Sequence, residues 1–295
     1  MRILALFKVV AELEALTEED WRVDAELRPQ ERYVRTTLNP EDESALELAL
    51  RLREALPPGE AVLTALTIGD ERADRTAATL MALKFDRVVR LAPPADLRFR
   101  PELTAALAAA EILARPQDLI LTGCRSADGG NALTPFFLAE RLGWPIVAET
   151  LSLAPASAPE AAEGGEETGE TAKAAETAGP SGGASAWPGG GLPPLAVESL
   201  TDDGLLRQVV VPPLLAAVGN APSAYLRVPT VKDRLSFGRR PPEVRQAAKG
   251  LDVRPRLKLR SLTRPDERRR VRLVDQGAPS DKAAILLQAL TERRP

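Results

Sequence analysis

Histidine is absent from this 295-residue sequence, and cysteine occurs once, as Cys124. Without histidine there is no imidazole base, no Ser-His-Asp or Cys-His machinery and no His-ligated metal. A single cysteine cannot close an intrachain disulfide or hold a zinc or iron–sulfur cluster, and nothing requires an oxidising compartment. No apolar run approaches the roughly 18 residues of a membrane-spanning helix. The opening MRILALFKVVAELEAL is broken by Lys8, Glu12 and Glu14 too early for a signal-peptide core. An excess of basic charge is missing as well. Lys and Arg number 39 against 42 Asp and Glu, a net charge of −3, so nucleic acid is not an expected partner. The run Arg268-Arg269-Arg270 has no interleaved aromatics and reads as a solvated face. These absences together predict a cytoplasmic protein with no direct membrane insertion.

Apolar residues make up 44% of the chain, enough for a substantial core. From residue 1 to 154 the pattern alternates between strand and helix. RILALFKVV opens a buried strand at residue 2, and YVRTTL (33–38) forms a short one. Glu41 to Leu56 carries Ala45, Leu46, Ala49, Leu52 and Leu56 on one helical stripe. Asn39 is expected to cap this helix, Pro40 to occupy its first turn, and Glu41, Asp42 and Glu43 to complement its positive end. AVLTALTI (61–68), RVVRL (87–91), DLILTG (118–123) and PIVAETLSL (145–153) read as further strands. Helices are expected after Gly69-Asp70, from Pro101, and from about Leu133 to Leu142. The predicted fold class is α/β, a Rossmann-like and mostly parallel sheet with helices on both faces.

Residues 155–194 interrupt this pattern. They contain almost no large apolar side chain and are rich in Ala, Gly, Pro, Ser, Thr and Glu, a composition expected to stay disordered. The flanking segments look like strands, which places the insertion at a hairpin tip. Residues 195–235 are expected to complete the α/β domain. Residues 236–295 read as a C-terminal extension ending in a short amphipathic helix over 281–294.

Three segments could carry chemistry. In LTGCRSADGGNALTP (121–135) a strand runs through a Gly-rich turn into a helix, a junction whose backbone N–H groups favour an anion. It matches neither G-x-x-x-x-G-K-[ST] nor G-x-G-x-x-G. The second segment is Asn39 to Glu43 and the third is Gly69-Asp70. All three lie where strands hand over to helices, the edge at which open α/β sheets bind ligands. Cys124 has no histidine to activate it and reads as a small filler in the crevice wall.

The same residues carry a resemblance to the β subunit of electron-transfer flavoproteins. Asn39-Pro40-x-Asp42-Glu43-x-Ala45-Leu46-Glu47 is similar to the family's NP-x-DE helix segment. Asp118 to Gly123, then Asp128, Thr134 and Leu142-Gly143-Trp144-Pro145, match its nucleotide loop and following helix without a gap. Gly219-Asn220-x-Pro222 and Val228-Pro229-Thr230-Val231-Lys232 resemble a later stretch.

The resemblance implies a heterodimer with an α subunit that holds most of the FAD. It implies AMP, or a second FAD, in a crevice formed by Leu6, Asn39, Pro40, Glu41, Asp42, Ile68, Gly123, Cys124, Ser126, Asp128, Gly129, Gly130, Asn131, Ala132, Leu133 and Thr134. Flavin dehydrogenases would be recognised near Leu226, Val228 and Pro229, and electrons would leave to a quinone oxidoreductase or similar acceptor. The C-terminal extension would pack on the partner subunit. The sequence departs from the family at Glu41, where Phe is common in a position facing the flavin region, and at Cys124, where a basic residue often stands. Two other readings remain open from the residues alone: an adenine-nucleotide enzyme of the same fold class, and a non-catalytic nucleotide-sensing module.

Overall fold

Five of the chain's strands are nearly continuous apolar runs, and the computed structural model buries them between two layers of helices. The structure describes residues 1–12, 22–29, 34–156, 192–221, 224–251, 253–254, 257–263, 274–275 and 277–291. Residues 1–260 form one compact unit and 261–295 a second.

The first unit is built on β1 (Arg2–Leu6), β4 (Val62–Ile68), β5 (Arg87–Ala92), β6 (Leu119–Gly123), β7 (Ile146–Pro155), β8 (Leu195–Thr201), β9 (Gly204–Val210), β10 (Leu214–Val218) and β11 (Glu243–Gln246). They form a nine-stranded sheet in the order β11-β5-β4-β1-β6-β10-β7-β8-β9. Every pairing from β11 to β7 is parallel, and β8 and β9 are antiparallel. A small antiparallel pair, β2 (Val9–Ala11) with β3 (Thr36–Leu38), stands apart from it. The expected strand RILALFKVV is thus two strands. The chain leaves the sheet at Phe7 and Lys8, and its second half pairs with β3.

Helices cover both faces, as expected. α1 (Pro40–Ala55) and α2 (Asp74–Ala82) pack on one face, where Ala45, Leu46, Leu50, Leu52 and Leu80 join Ile3, Leu63, Leu119 and Leu214. α3 (Pro101–Ala114) and α4 (Thr134–Leu142) pack on the other, where Leu107, Ile112 and Leu138 meet Leu4, Leu66, Ile120 and Leu215. Adjacent strand residues thus feed opposite layers, because the strand side-chain period is two. Each fully buried Leu contributes roughly 1.5–3 kcal/mol by area transfer.

The topology also decides where ligands can approach. The chain moves outward from β1 to β4 and β5, then crosses back through α3 to β6 on the other side of β1. A switch point therefore opens at the carboxyl ends of β1 and β6.

Residues 157–191, most of the expected insertion, lie outside the described residues. Its ends do pair. Pro155 stands opposite Leu195, and the Ala156 N–H donates to Pro194 O at 2.9 Å, so the segment connects the two strands of a hairpin. Past β10 the short helix α5 (Val231–Ser236) precedes β11, which pairs with β5 at the sheet edge. The region expected as an extension from residue 236 therefore contributes a strand to the main sheet, and the first compact unit runs on to Arg260. Glu243, Val244, Arg245 and Gln246 carry no strong apolar alternation, so no local pattern marks a strand there. The second unit contains α6 (Pro279–Thr291). The basic run at 268–270 lies outside the described residues.

Candidate functional site

Of the expected crevice residues, Asn39, Glu41 and Asp42 are hydrogen-bonded to the loop after β6 at the switch point. Leu6 and Ile68 end β1 and β4, each partly exposed and packed against the second core cluster. The start of α1 is hydrogen-bonded both to Lys8, just past β1, and to the loop after β6.

Asn39 sits at the N-cap position of α1 but makes no side-chain cap, contrary to expectation. Its amide instead clamps the loop. Nδ2 donates to Arg125 O at 2.9 Å, and Oδ1 accepts the Ala127 N–H at 2.9 Å. Asn39 is buried, and the loop presents one acceptor and one donor where the cap would have presented only donors. Pro40 is exposed in the first turn. Asp42, buried, accepts the Gly123 N–H at 2.8 Å and the Lys8 N–H at 2.9 Å. Burial pushes its carboxyl up to about 7, against the pull of those two bonds. Glu41 accepts the Arg125 N–H at 2.6 Å and its Nε at 2.9 Å, and Arg125 also reaches Glu149 at 3.3 Å. The three polar side chains expected to face a ligand thus hold the loop in shape.

The loop itself divides in two. Residues 123, 124, 125 and 127 donate their N–H groups within the chain, to Asp42, Val218, Glu41 and Asn39. By contrast, the N–H groups of Asp128, Gly129, Asn131 and Ala132 find no acceptor among the described residues. Gly130 turns the chain at φ 58° with its N–H on Ser126 O at 2.8 Å, and Ala132 follows at φ 53°. Asn131 Oδ1 accepts the Leu133 N–H at 3.0 Å. Thr134 then begins α4, whose first turn has no side-chain cap and contains Pro135. Donors left free at a helix N-terminus, beside alternating left-handed residues, can receive an anion.

Cys124 is buried in the second core cluster. Its thiol donates to Ala217 O at 3.2 Å and accepts the Glu149 N–H at 3.3 Å. Burial pushes the thiol up to about 12, so it stays protonated and unreactive. Asp70, in the third candidate segment, is occupied in capping the turn ahead of α2, where it accepts the Arg72 N–H at 3.1 Å.

Sequence reading missed Lys8, Arg125 and Glu149. Lys8 Nζ lies 2.7 Å from Asp128 Oδ1, an ion pair that no local pattern announces because 120 residues separate the partners. Glu149 adopts φ 49° at an irregularity within the pairing of β7 with β10, between Val147 and Thr150.

Away from the crevice, the segment expected to meet a partner has a definite inside and outside. Leu226 packs against the first core cluster and Pro229 is buried, whereas Val228 is 78% exposed and Tyr225, also unforeseen, is 77% exposed. Arg227 straps the segment to α1. It reaches Glu47 at 2.8 Å and also pairs with Glu54, while the Leu226 and Arg227 N–H groups donate to Glu43 and Glu47, each at 3.2 Å.

Among the described residues there is no cluster of metal-ligating side chains, and no helix is long and apolar enough to cross a membrane.

Comparison with known proteins agrees with this architecture. The family described as "Electron transfer flavoprotein domain" matches residues 29–176. The proposed electron transfer flavoprotein subunit YgcR of Escherichia coli (strain K12) is 30% identical over 296 residues, covering 100% of this chain and 99% of that protein. The mitochondrial electron transfer flavoprotein subunit beta of Oryza sativa subsp. indica is 32% identical over 133 residues, 43% of this chain and 52% of that one. The caffeyl-CoA reductase-Etf complex subunit CarD of Acetobacterium woodii is 31% identical over 115 residues, 39% of this chain and 43% of its own length. On the matched profile, the end-to-end relative and the nine-stranded α/β sheet, the chain belongs to the electron transfer flavoprotein family.

Proposed function

We propose that this chain is the β-type subunit of a cytoplasmic, two-subunit electron-transfer flavoprotein, and that its crevice holds an adenine nucleotide, either AMP or a second FAD. FAD held mainly by an α-type partner would supply the redox chemistry, and this chain the binding and orientation. Electrons would arrive from flavin dehydrogenases and leave to a quinone oxidoreductase or similar acceptor. The observation that carries the nucleotide reading is the set of free N–H groups at Asp128, Gly129, Asn131 and Ala132, presented at the switch point ahead of α4. They fit a phosphate. Asn39, Glu41, Asp42 and Cys124 are engaged in holding the loop, an arrangement that suits a binding subunit better than an adenylating enzyme. Support for the β role comes from the rice β subunit and its alignment over part of the chain. The outward face of residues 225–229, with Val228 as its exposed tip, is proposed to meet the dehydrogenase.

Co-expression with an α-type subunit from the same genome tests the proposal. The expected result is a yellow one-to-one complex that releases FAD and a second adenine nucleotide on heating, while the chain alone is colourless. Stoichiometric FAD retained by the isolated chain after gel filtration would contradict the assignment of the flavin to the partner. A stable complex without flavin would contradict the carrier role.

A further inference from the structure

We propose that Lys8 is the cation that reads the phosphate of the nucleotide in this crevice, exchanging its present partner Asp128 for a phosphomonoester; the proposal rests on the nucleotide reading above. Three observations lead to it. The first is placement. Lys8 stands just past the carboxyl tip of β1, its N–H held by Asp42 at 2.9 Å and its carbonyl accepting the Asn39 N–H at 2.9 Å. The backbone is therefore pinned by the same two residues that shape the loop after β6, while the side chain is left to reach across the switch point.

The second is the state of the ion pair. Lys8 Nζ sits 2.7 Å from Asp128 Oδ1, with the two side chains 48% and 30% exposed. A pair so open to water contributes little to stability and is readily exchanged. The ammonium is held by the side chain of Asp128, a residue whose own N–H finds no acceptor among the described residues.

The third is charge. Arg125, the cation within the loop, is engaged by Glu41 and Glu149. A phosphate that approaches the free N–H groups competes with the Asp128 carboxylate for Lys8, and its larger negative charge favours the exchange. Neutral N–H donors alone would distinguish a nucleotide from its nucleoside weakly. An ammonium on a pinned backbone makes the distinction large, since hydrogen bonds to charged groups are the stronger kind.

Calorimetric titration of the full chain, stripped of nucleotide, with AMP and with adenosine tests the assignment. Lys8→Gln is expected to weaken AMP binding at least about tenfold, the loss of one charge-assisted contact, and to leave adenosine binding unchanged. Lys8→Arg should stay within about threefold of wild type for AMP, because it restores the charge. AMP affinity in Lys8→Gln equal to that of wild type would overturn the proposal. So would an equal loss for AMP and adenosine, which would place Lys8 in the service of the fold. Wild-type protein that binds neither ligand would overturn the nucleotide reading itself, and the role of Lys8 with it.

Discussion

Asp42 Oδ1 accepts the N–H of Gly123 at 2.8 Å, tying the first turn of α1 to the tip of β6 across 81 residues of sequence. The contact leaves no room for a side chain at position 123. A Cβ there would lie 2.5 Å from Asp42 Oδ1 and 2.9 Å from Glu41 Cβ. Both atoms belong to a helix start that is itself pinned by Lys8 and Arg125.

Gly123→Ala is therefore expected to lower stability by about 2–3 kcal/mol, through overpacking and the weakened hydrogen bond. Gly129→Ala is the control. Its Cβ would meet Ser126 Oγ at 3.2 Å, a side-chain hydroxyl that can turn away. A change within about 1 kcal/mol is expected there. Urea unfolding of both variants decides the matter, and equal midpoints would show that the α1–β6 junction can yield.

The same carboxylate makes stability depend on pH. The carboxyl of Asp42 rises from its ordinary 3.8 to about 7 because burial disfavours the charged form. Between those values the folded chain holds a proton that the unfolded chain has released. The contribution of Asp42 is thus complete below the unfolded value and is lost as pH rises through about 7. Asp42→Asn does not titrate. The stability of wild type relative to this variant should decline from about pH 4 to about pH 7 and level off above that. A difference that is flat across that interval, measured by denaturant unfolding in matched buffers, would rule out the shifted carboxyl.

Arg227 and Glu47 offer a third test. Glu47 is 4% exposed and lies between Arg227 and Arg51, whereas Glu54 is 56% exposed. Arg227 holds the Glu47 carboxyl below its ordinary range despite burial. Arg227→Met is expected to cost about 1–2 kcal/mol, a value discounted because the guanidinium is itself partly solvated. The Leu226 and Arg227 amides should also exchange faster in deuterium. Glu54→Ala should change stability by less than about 0.5 kcal/mol. Equal costs for the two variants would place the strap in solvent rather than on α1.

Much of this architecture is legible in the chain itself. α1 follows from the stripe through Ala45, Leu46, Ala49 and Leu52, bounded by Asn39-Pro40 and Pro57-Pro58-Gly59. The buried strands follow from short apolar runs, and the class of fold from their alternation with helices. The family was legible too, in the NP-x-DE segment and the loop from Gly123 to Thr134. Strand order was not. The position of β10 between β6 and β7 depends on pairing between segments about 70 to 95 residues apart, and the sheet edge at β11 depends on backbone hydrogen bonds that any residue but proline can make.

Sequence by itself determined which residues would gather at the carboxyl edge of the sheet, because every β-to-α junction of a parallel sheet ends there. Tertiary structure alone decided what their side chains do. Asn39 could cap its own helix or clamp a distant loop; the loop offers Arg125 O and the Ala127 N–H together, and the amide satisfies both. Leu226 and Val228 are neighbours of similar character in sequence. One packs against the core and the other faces water, because Arg227 between them is drawn onto Glu47 of α1. Local pattern sets which surfaces must be buried, whereas the partner of a polar group is chosen by whichever donor or acceptor the fold brings within about 3 Å.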